Sequence, residues 1–106
     1  MFTNKKVLLV CSPYYNDITQ NLIKGAIMVL RSNSVEYKII NVPGALEIAP
    51  SIKIYSEKSS KEILFDGFVA LGCIIRGETY HFEIVSNESA RALSDLSITY
   101  SLPIGN

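Results

Sequence analysis

The chain has 106 residues, 48% hydrophobic and 19% charged, with ten Lys plus Arg balanced by ten Asp plus Glu. That length suits one small domain spanning 1–106. A net charge of zero argues against nucleic-acid binding or polybasic membrane attachment, both of which need a positive surplus. No apolar run approaches the roughly 20 residues of a membrane span, and the N-terminus lacks a signal peptide's long apolar core and cleavage site.

In chain order, "KKVLLVC" (5–11) is a continuous apolar run, as expected of a strand buried on both faces. "SPYYND" (12–17) reads as a loop in which Asp17 can cap the next helix. Ile18, Leu22, Ile23, Ala26, Ile27 and Leu30 then recur at helical spacing, and "RSNS" (31–34) ends that helix. "VEYKIINV" (35–42) reads as a second strand, closed by Pro43-Gly44. Residues 45 to about 58 read as a second helix, provided Pro50 falls in its first turn, where a missing N–H costs little. "DGFVALGCII" (66–75) is the most apolar segment and the expected central strand. Thr79 can cap a third helix running to about Leu96, with Phe82, Val85, Ser89, Leu93 and Leu96 on one face. "SLPIGN" (101–106) looks like the opening of a fourth strand.

The order β-α-β-α-β-α-β predicts a parallel sheet with right-handed crossovers and helices on both faces. In such a sheet, ligands bind outside the carboxyl ends of the strands. Three loops leave those ends: "SPYYN", "VPGALE" and "IRGET". They are expected to share one rim. Cys11 and Cys73 each close an apolar run and read as buried thiols, and one histidine with no CxxC makes a zinc site improbable. This cysteine usage places the chain in the cytoplasm.

"IRGETYHF" carries the most chemistry. Gly77 permits close backbone approach, and Glu78, Thr79 and Tyr80 open a helix whose free N–H groups favour an anion. His81 in that first turn feels positive potential, which favours its neutral form near pH 7 and suits proton exchange. A histidine that merely makes one structural hydrogen bond fits the same position. Arg76 reads more readily as an ion-pair partner, and Glu78 as a solvated helix-start acid. "VPGALE" is a turn with an even claim on a ligand. One of the two tyrosines in "SPYYN" could stack on a planar ring, although such pairs are more often packing or surface.

Taken together, "VPGALEI", "LGCIIRGETYHFEIVSNESARAL" and "PYYNDIT...LIKGA" resemble the 6,7-dimethyl-8-ribityllumazine synthase family over nearly the whole chain. The resemblance implies an α/β three-layer sandwich on a flavodoxin-like parallel sheet of four strands. It also implies condensation of 5-amino-6-(D-ribitylamino)uracil with 3,4-dihydroxy-2-butanone 4-phosphate, with no metal or organic cofactor. By the same resemblance, Tyr15 matches the aromatic that stacks on the pyrimidine, and Ala45, Leu46 and Glu47 match the ribityl and ring segment. Cys73, Ile74 and Ile75 match the strand end facing the pyrimidine, and Asn106 a position near it. Glu78 and Thr79 match the phosphate contacts, and His81 the proton-transfer residue.

The family chain continues past the position of Asn106 with a phosphate-binding arginine that Arg31, Arg76 and Arg91 do not match, so C-terminal elements are expected to be missing here. Its members are homo-oligomers: pentamers, decamers or 60-subunit shells, with riboflavin synthase as a further partner. Two other readings stay open at this stage: a catalytically silent assembly subunit of the same family, and a flavodoxin-like flavin or phosphate binder.

Overall fold

A computed structural model describes residues 5–57, 65–74 and 81–106, the side chains of residues 81 and 82 excepted. Among the described residues four strands and three long helices alternate: β1 (Lys6–Cys11), α1 (Asn16–Ser32), β2 (Glu36–Asn41), a 3-10 turn (Ala45–Glu47), α2 (Ile48–Glu57), β3 (Gly67–Leu71), α3 (His81–Tyr100) and β4 (Ile104–Gly105). All strand pairs are parallel, in the order β2-β1-β3-β4. This is the parallel sheet between helix layers that the alternation predicts, and the flavodoxin-like three-layer α/β architecture that the resemblance implies.

β1 is the spine because its side chains serve both layers. Leu8 and Val10 pack with Ile48, Ala49 and Ile52 of α2 and with Leu93 of α3. Leu9 and Cys11, one residue out of phase, pack with Ile23 of α1. This is the period-two alternation of a strand, here apolar on both sides because both sides are covered. Leu8, Leu9 and Val10 are fully buried, each stabilising the fold by roughly 2 kcal/mol. β2 lies at the sheet edge and is mostly exposed, which fits its alternation with Glu36 and Lys38. At the other end of β1, Lys6 N–H donates to Asp66 Oδ2 at 2.8 Å, and Asp66 N–H donates to Lys6 O at 2.7 Å. These bonds pin the start of β3 to that of β1.

Several boundaries differ from expectation. α1 starts at Asn16 with Tyr15 at the N-cap and no side-chain cap, so Asp17 lies inside the first turn rather than capping it. The second helix is split into a 3-10 turn followed by α2, and Pro50 is the third residue of α2. It therefore occupies the first turn, where its missing N–H had no helical partner to lose. β3 stops at Leu71, four residues short of the apolar run, because Gly72, Cys73 and Ile74 leave the ladder to form a site wall. α3 runs on to Tyr100, with Val85 and Leu93 buried along the expected face. The proposed Thr79 cap lies outside the described residues.

Candidate active site

β1 is followed by Ser12, β2 by Pro43-Gly44 and β3 by Gly72-Cys73. Connections from β1 and β3 lead to opposite faces of the sheet, α1 on one side and α3 on the other. The reversal of strand order therefore opens a crevice at these carboxyl ends. A cleft of about 290 Å³ lies there, lined by Ser12, Tyr14, Tyr15, Pro43 to Glu47, Cys73, Ile74 and Val85. It joins the first two expected loops and the end of β3 on one rim, though they are about 30 residues apart in sequence.

The wall from β1 carries the two tyrosines. Their ring centroids are 4.9 Å apart at 72°, an edge-to-face pair, a preferred aromatic geometry. Tyr14 is 71% exposed and Tyr15 36% exposed, so each ring has face left to cover. The wall from β2 is a tight turn. Glu47 N–H donates to Gly44 O at 3.1 Å, and Ser51 Oγ–H donates to Glu47 O at 2.9 Å. Gly44 is in an extended conformation, with φ −154°. A Cβ there would lie 3.5 Å from Glu47 Oε1, so the carboxylate folds back over its own turn at the cleft edge. Ser89 of α3 reaches Ala45 O at 3.5 Å, a long contact that leans this turn on α3.

The wall from β3 supplies Cys73 and Ile74. Both cysteines are free thiols, Cys11 buried and Cys73 only half-buried. Cys73 was expected to be buried like Cys11; it is instead part of the cleft surface, because it lies beyond the end of the ladder. Burial pushes the Cys11 thiol above its ordinary pKa, since the thiolate would lose its hydration.

Of the residues singled out from sequence, Tyr15, Ala45, Leu46, Glu47, Cys73 and Ile74 meet on this cleft. Asn106 is exposed, directly after the two-residue β4, and is not among its lining residues. Ile75, Arg76, Gly77, Glu78 and Thr79 lie outside the described residues. His81 opens α3, one helical turn before Val85, which does line the cleft. Ser12, Tyr14, Pro43 and Gly44 belong to loops expected on the rim but were not singled out as contacts, and Val85 was expected only on the core face of its helix. Val85 was within reach of sequence reasoning, being four residues after His81 on the face assigned to the core. Ser12 gave no signal beyond its place at a strand end.

A second, more open hollow of about 380 Å³ lies between α2 and α3, with Lys53, Arg91, Asp95 and Tyr100 on its rim. Its cations are already engaged. Lys53 Nζ pairs with Glu57 at 2.5 Å and lies 4.4 Å from the Tyr100 ring centre. Arg91 bonds Glu88 and Asp95 at 2.6 and 2.8 Å. Although larger, this hollow is away from the strand ends, and the described residues that line it offer no free charge to a ligand. Among the described residues no three His, Cys, Asp or Glu side chains gather where they could hold a metal ion. No described helix is long and apolar enough to cross a membrane.

The fold and cleft define a parallel α/β protein with a small-molecule crevice at its strand switch point. The sequence profile of 6,7-dimethyl-8-ribityllumazine synthase matches residues 4–106, and the chain belongs to this family. It is 52% identical over 103 residues to the 6,7-dimethyl-8-ribityllumazine synthase of Bartonella bacilliformis, a match covering 97% of this chain and 66% of that protein. The enzyme of the same name from Bartonella henselae is 54% identical over 100 residues, covering 94% and 63%. That of Agrobacterium fabrum is 50% identical over 101 residues, covering 94% and 68%. The chain thus spans about two thirds of the length of these curated relatives.

Proposed function

We propose that the cleft is the pyrimidine site of a lumazine synthase. The reaction joins 5-amino-6-(D-ribitylamino)uracil to 3,4-dihydroxy-2-butanone 4-phosphate. The observation that carries this reading is the convergence of residues from "PYYN", "VPGALE" and "GCI" on one cleft, since these segments carry the family resemblance and are distant in sequence.

In this reading the 5-amino nitrogen attacks the ketone carbon, and water leaves as the imine forms. Phosphate leaves by elimination. The ribitylamino nitrogen then closes the second ring with loss of a second water. The chemistry asks for a proton donor and acceptor near the amine and a cradle for the leaving anion. His81 takes the first role. Glu78 and Thr79 take the second, Glu78 through its backbone N–H and Thr79 through its hydroxyl as well. Tyr15 lies against the ring, and Ala45, Leu46 and Glu47 flank the ring and ribityl chain. Cys73, Ile74 and Ile75 edge the pyrimidine. No cofactor is assigned. The chain works in the cytoplasm as a homo-oligomer, with the pentamer as the unit and larger shells built from it. Apolar side chains left at the surface, Ile84 and Ile98 among them, support association.

The test is lumazine formation, followed by its absorbance, with the wild-type chain and His81→Ala. The expected result is a rate lower by roughly 10²-fold in the variant, the usual scale for lost acid–base catalysis. A variant as fast as wild type removes His81 from the mechanism, and no product from wild type removes the activity from this chain.

A further inference from the structure

Two polar residues are buried among those described, Ser12 at 2% and Thr19 at 0% exposure, and they are bonded to each other. Thr19 Oγ–H donates to the Ser12 carbonyl at 3.2 Å, across seven positions. A threonine inside a helix ordinarily turns its hydroxyl to a carbonyl three or four residues back in the same helix. Thr19 instead reaches out of α1 to the end of β1. The segment closed by this bond carries Tyr14 and Tyr15, the aromatic wall of the cleft.

Both ends of the segment are anchored. Ser12 N–H donates to Leu71 O of β3 at 2.9 Å, and Thr19 N–H donates to Tyr15 O at 3.0 Å as an opening bond of α1. What is missing is the usual fastening of a helix entry, because the N-cap Tyr15 makes no side-chain cap bond. The Thr19 hydroxyl supplies a fastening from inside the first turn. In a low-dielectric core such a bond is firm, and its loss leaves a buried carbonyl with no donor among the described residues.

We propose that Thr19 is a positioning residue for the cleft. Its hydroxyl fixes the distance between the end of β1 and the first turn of α1, and thereby holds the tyrosine pair against the bound ring. Thr19 touches no substrate. The proposal rests on the reading of the cleft as the pyrimidine site, so its test has one arm that does not need that reading.

The experiment uses the 106-residue chain with Thr19→Val and Thr19→Ser. Hydrogen exchange is followed at the amides of residues 14–18. In parallel, an unreactive ribitylaminopyrimidinedione, with a nitro group in place of the 5-amino nucleophile, is titrated beside inorganic phosphate. Thr19→Val is expected to speed exchange in this segment and to weaken the pyrimidine about tenfold, in the range expected for one unpaired buried acceptor. Phosphate affinity should be unchanged, and Thr19→Ser should restore both properties. Should Thr19→Val fail to fold, Thr19→Ala against Thr19→Ser makes the same comparison. Unaltered exchange at residues 14–18 overturns the proposal. So does equal weakening of both ligands, which would mean general loosening, or failure of serine to rescue, which would make the methyl group the important part. If wild type binds no pyrimidine analogue, the functional reading falls, and the exchange arm still decides the clamp.

Discussion

The two cysteines differ in ways that can be measured. Cys11 is buried on the α1 side of β1 and Cys73 is half-buried on the cleft wall. Reactivity needs access and a thiolate, so a maleimide should label Cys73 first, and a ring analogue in the cleft should slow that labelling. Preferential labelling of Cys11, read by peptide mass, would contradict the assigned wall. Cys11 also contributes to pH dependence. Below its ordinary pKa of 9.0 the thiol is protonated in both folded and unfolded chains. Above it the unfolded chain releases a proton that the folded chain retains, so stability falls as pH rises beyond about 9. Cys11→Val should flatten that part of the stability curve. The tyrosines offer a third test. If Tyr15 is the stacking ring, Tyr15→Ala weakens the pyrimidine analogue by on the order of 1 kcal/mol more than Tyr14→Ala does. Equal losses would mean that both rings, which share the wall, share the stacking. At this scale the sequence disclosed the residue types of the site but not its depth. Tyr15, Glu47 and Cys73 could be placed at strand ends, where their neighbours in the chain are informative. Ser12 could not, because it sits against Gly72 beyond the end of β3, where an added Cβ would lie 3.5 Å from Ser12 Cβ.

Helix periodicity was legible wherever one face is apolar and the other polar, as in α1 and α3, and β1 was legible as an unbroken apolar run. Boundaries were less so. The apolar run that predicts a strand to residue 75 cannot distinguish a core position from a cleft wall, since both favour the same residues. The 3-10 turn before α2 was hidden because Ala-Leu-Glu suits either helix type. The end of α1 was legible as a stop, but its geometry was not. Ser34 N–H donates to Arg31 O and Val35 N–H to Leu30 O, at 3.1 and 2.9 Å. This is the Schellman arrangement, with Ser34 at φ +57° in the left-handed position that glycine occupies most cheaply. An L-residue there costs about 1–2 kcal/mol, part of which glycine's greater chain entropy would cancel. Ser34→Gly should therefore stabilise the chain by about 0.5–1 kcal/mol, seen as a higher midpoint in urea with an unchanged slope. A lower midpoint would mean that the serine hydroxyl matters more than the backbone.

The molecule as a whole has zero net charge and leaves large apolar side chains in water, a combination that favours association. They are not scattered on α3. Ile84, Glu88, Arg91, Asp95 and Ile98 recur at steps of four and three residues, the spacing of a seam between helices. Ile84 is 57% exposed and Ile98 80% exposed, while the middle of the stripe is closed on itself by the bonds of Arg91 to Glu88 and Asp95. Exposed pairs of this kind add little to stability. Here they leave the centre of the stripe, two carboxylates around one guanidinium, with a single excess negative charge between its apolar ends. If α3 is an association face, Ile98→Glu should reduce the mass found by sedimentation equilibrium while leaving the circular dichroism of the folded chain unchanged, because that side chain has almost no internal packing to lose. Raising the salt concentration should not dissociate the wild type, since apolar burial, unlike attraction between exposed charges, is not screened. A wild-type chain that sediments as a monomer would remove self-association through this face. Dissociation by moderate salt would instead mean that the ion pairs at Arg91 open and form again between copies.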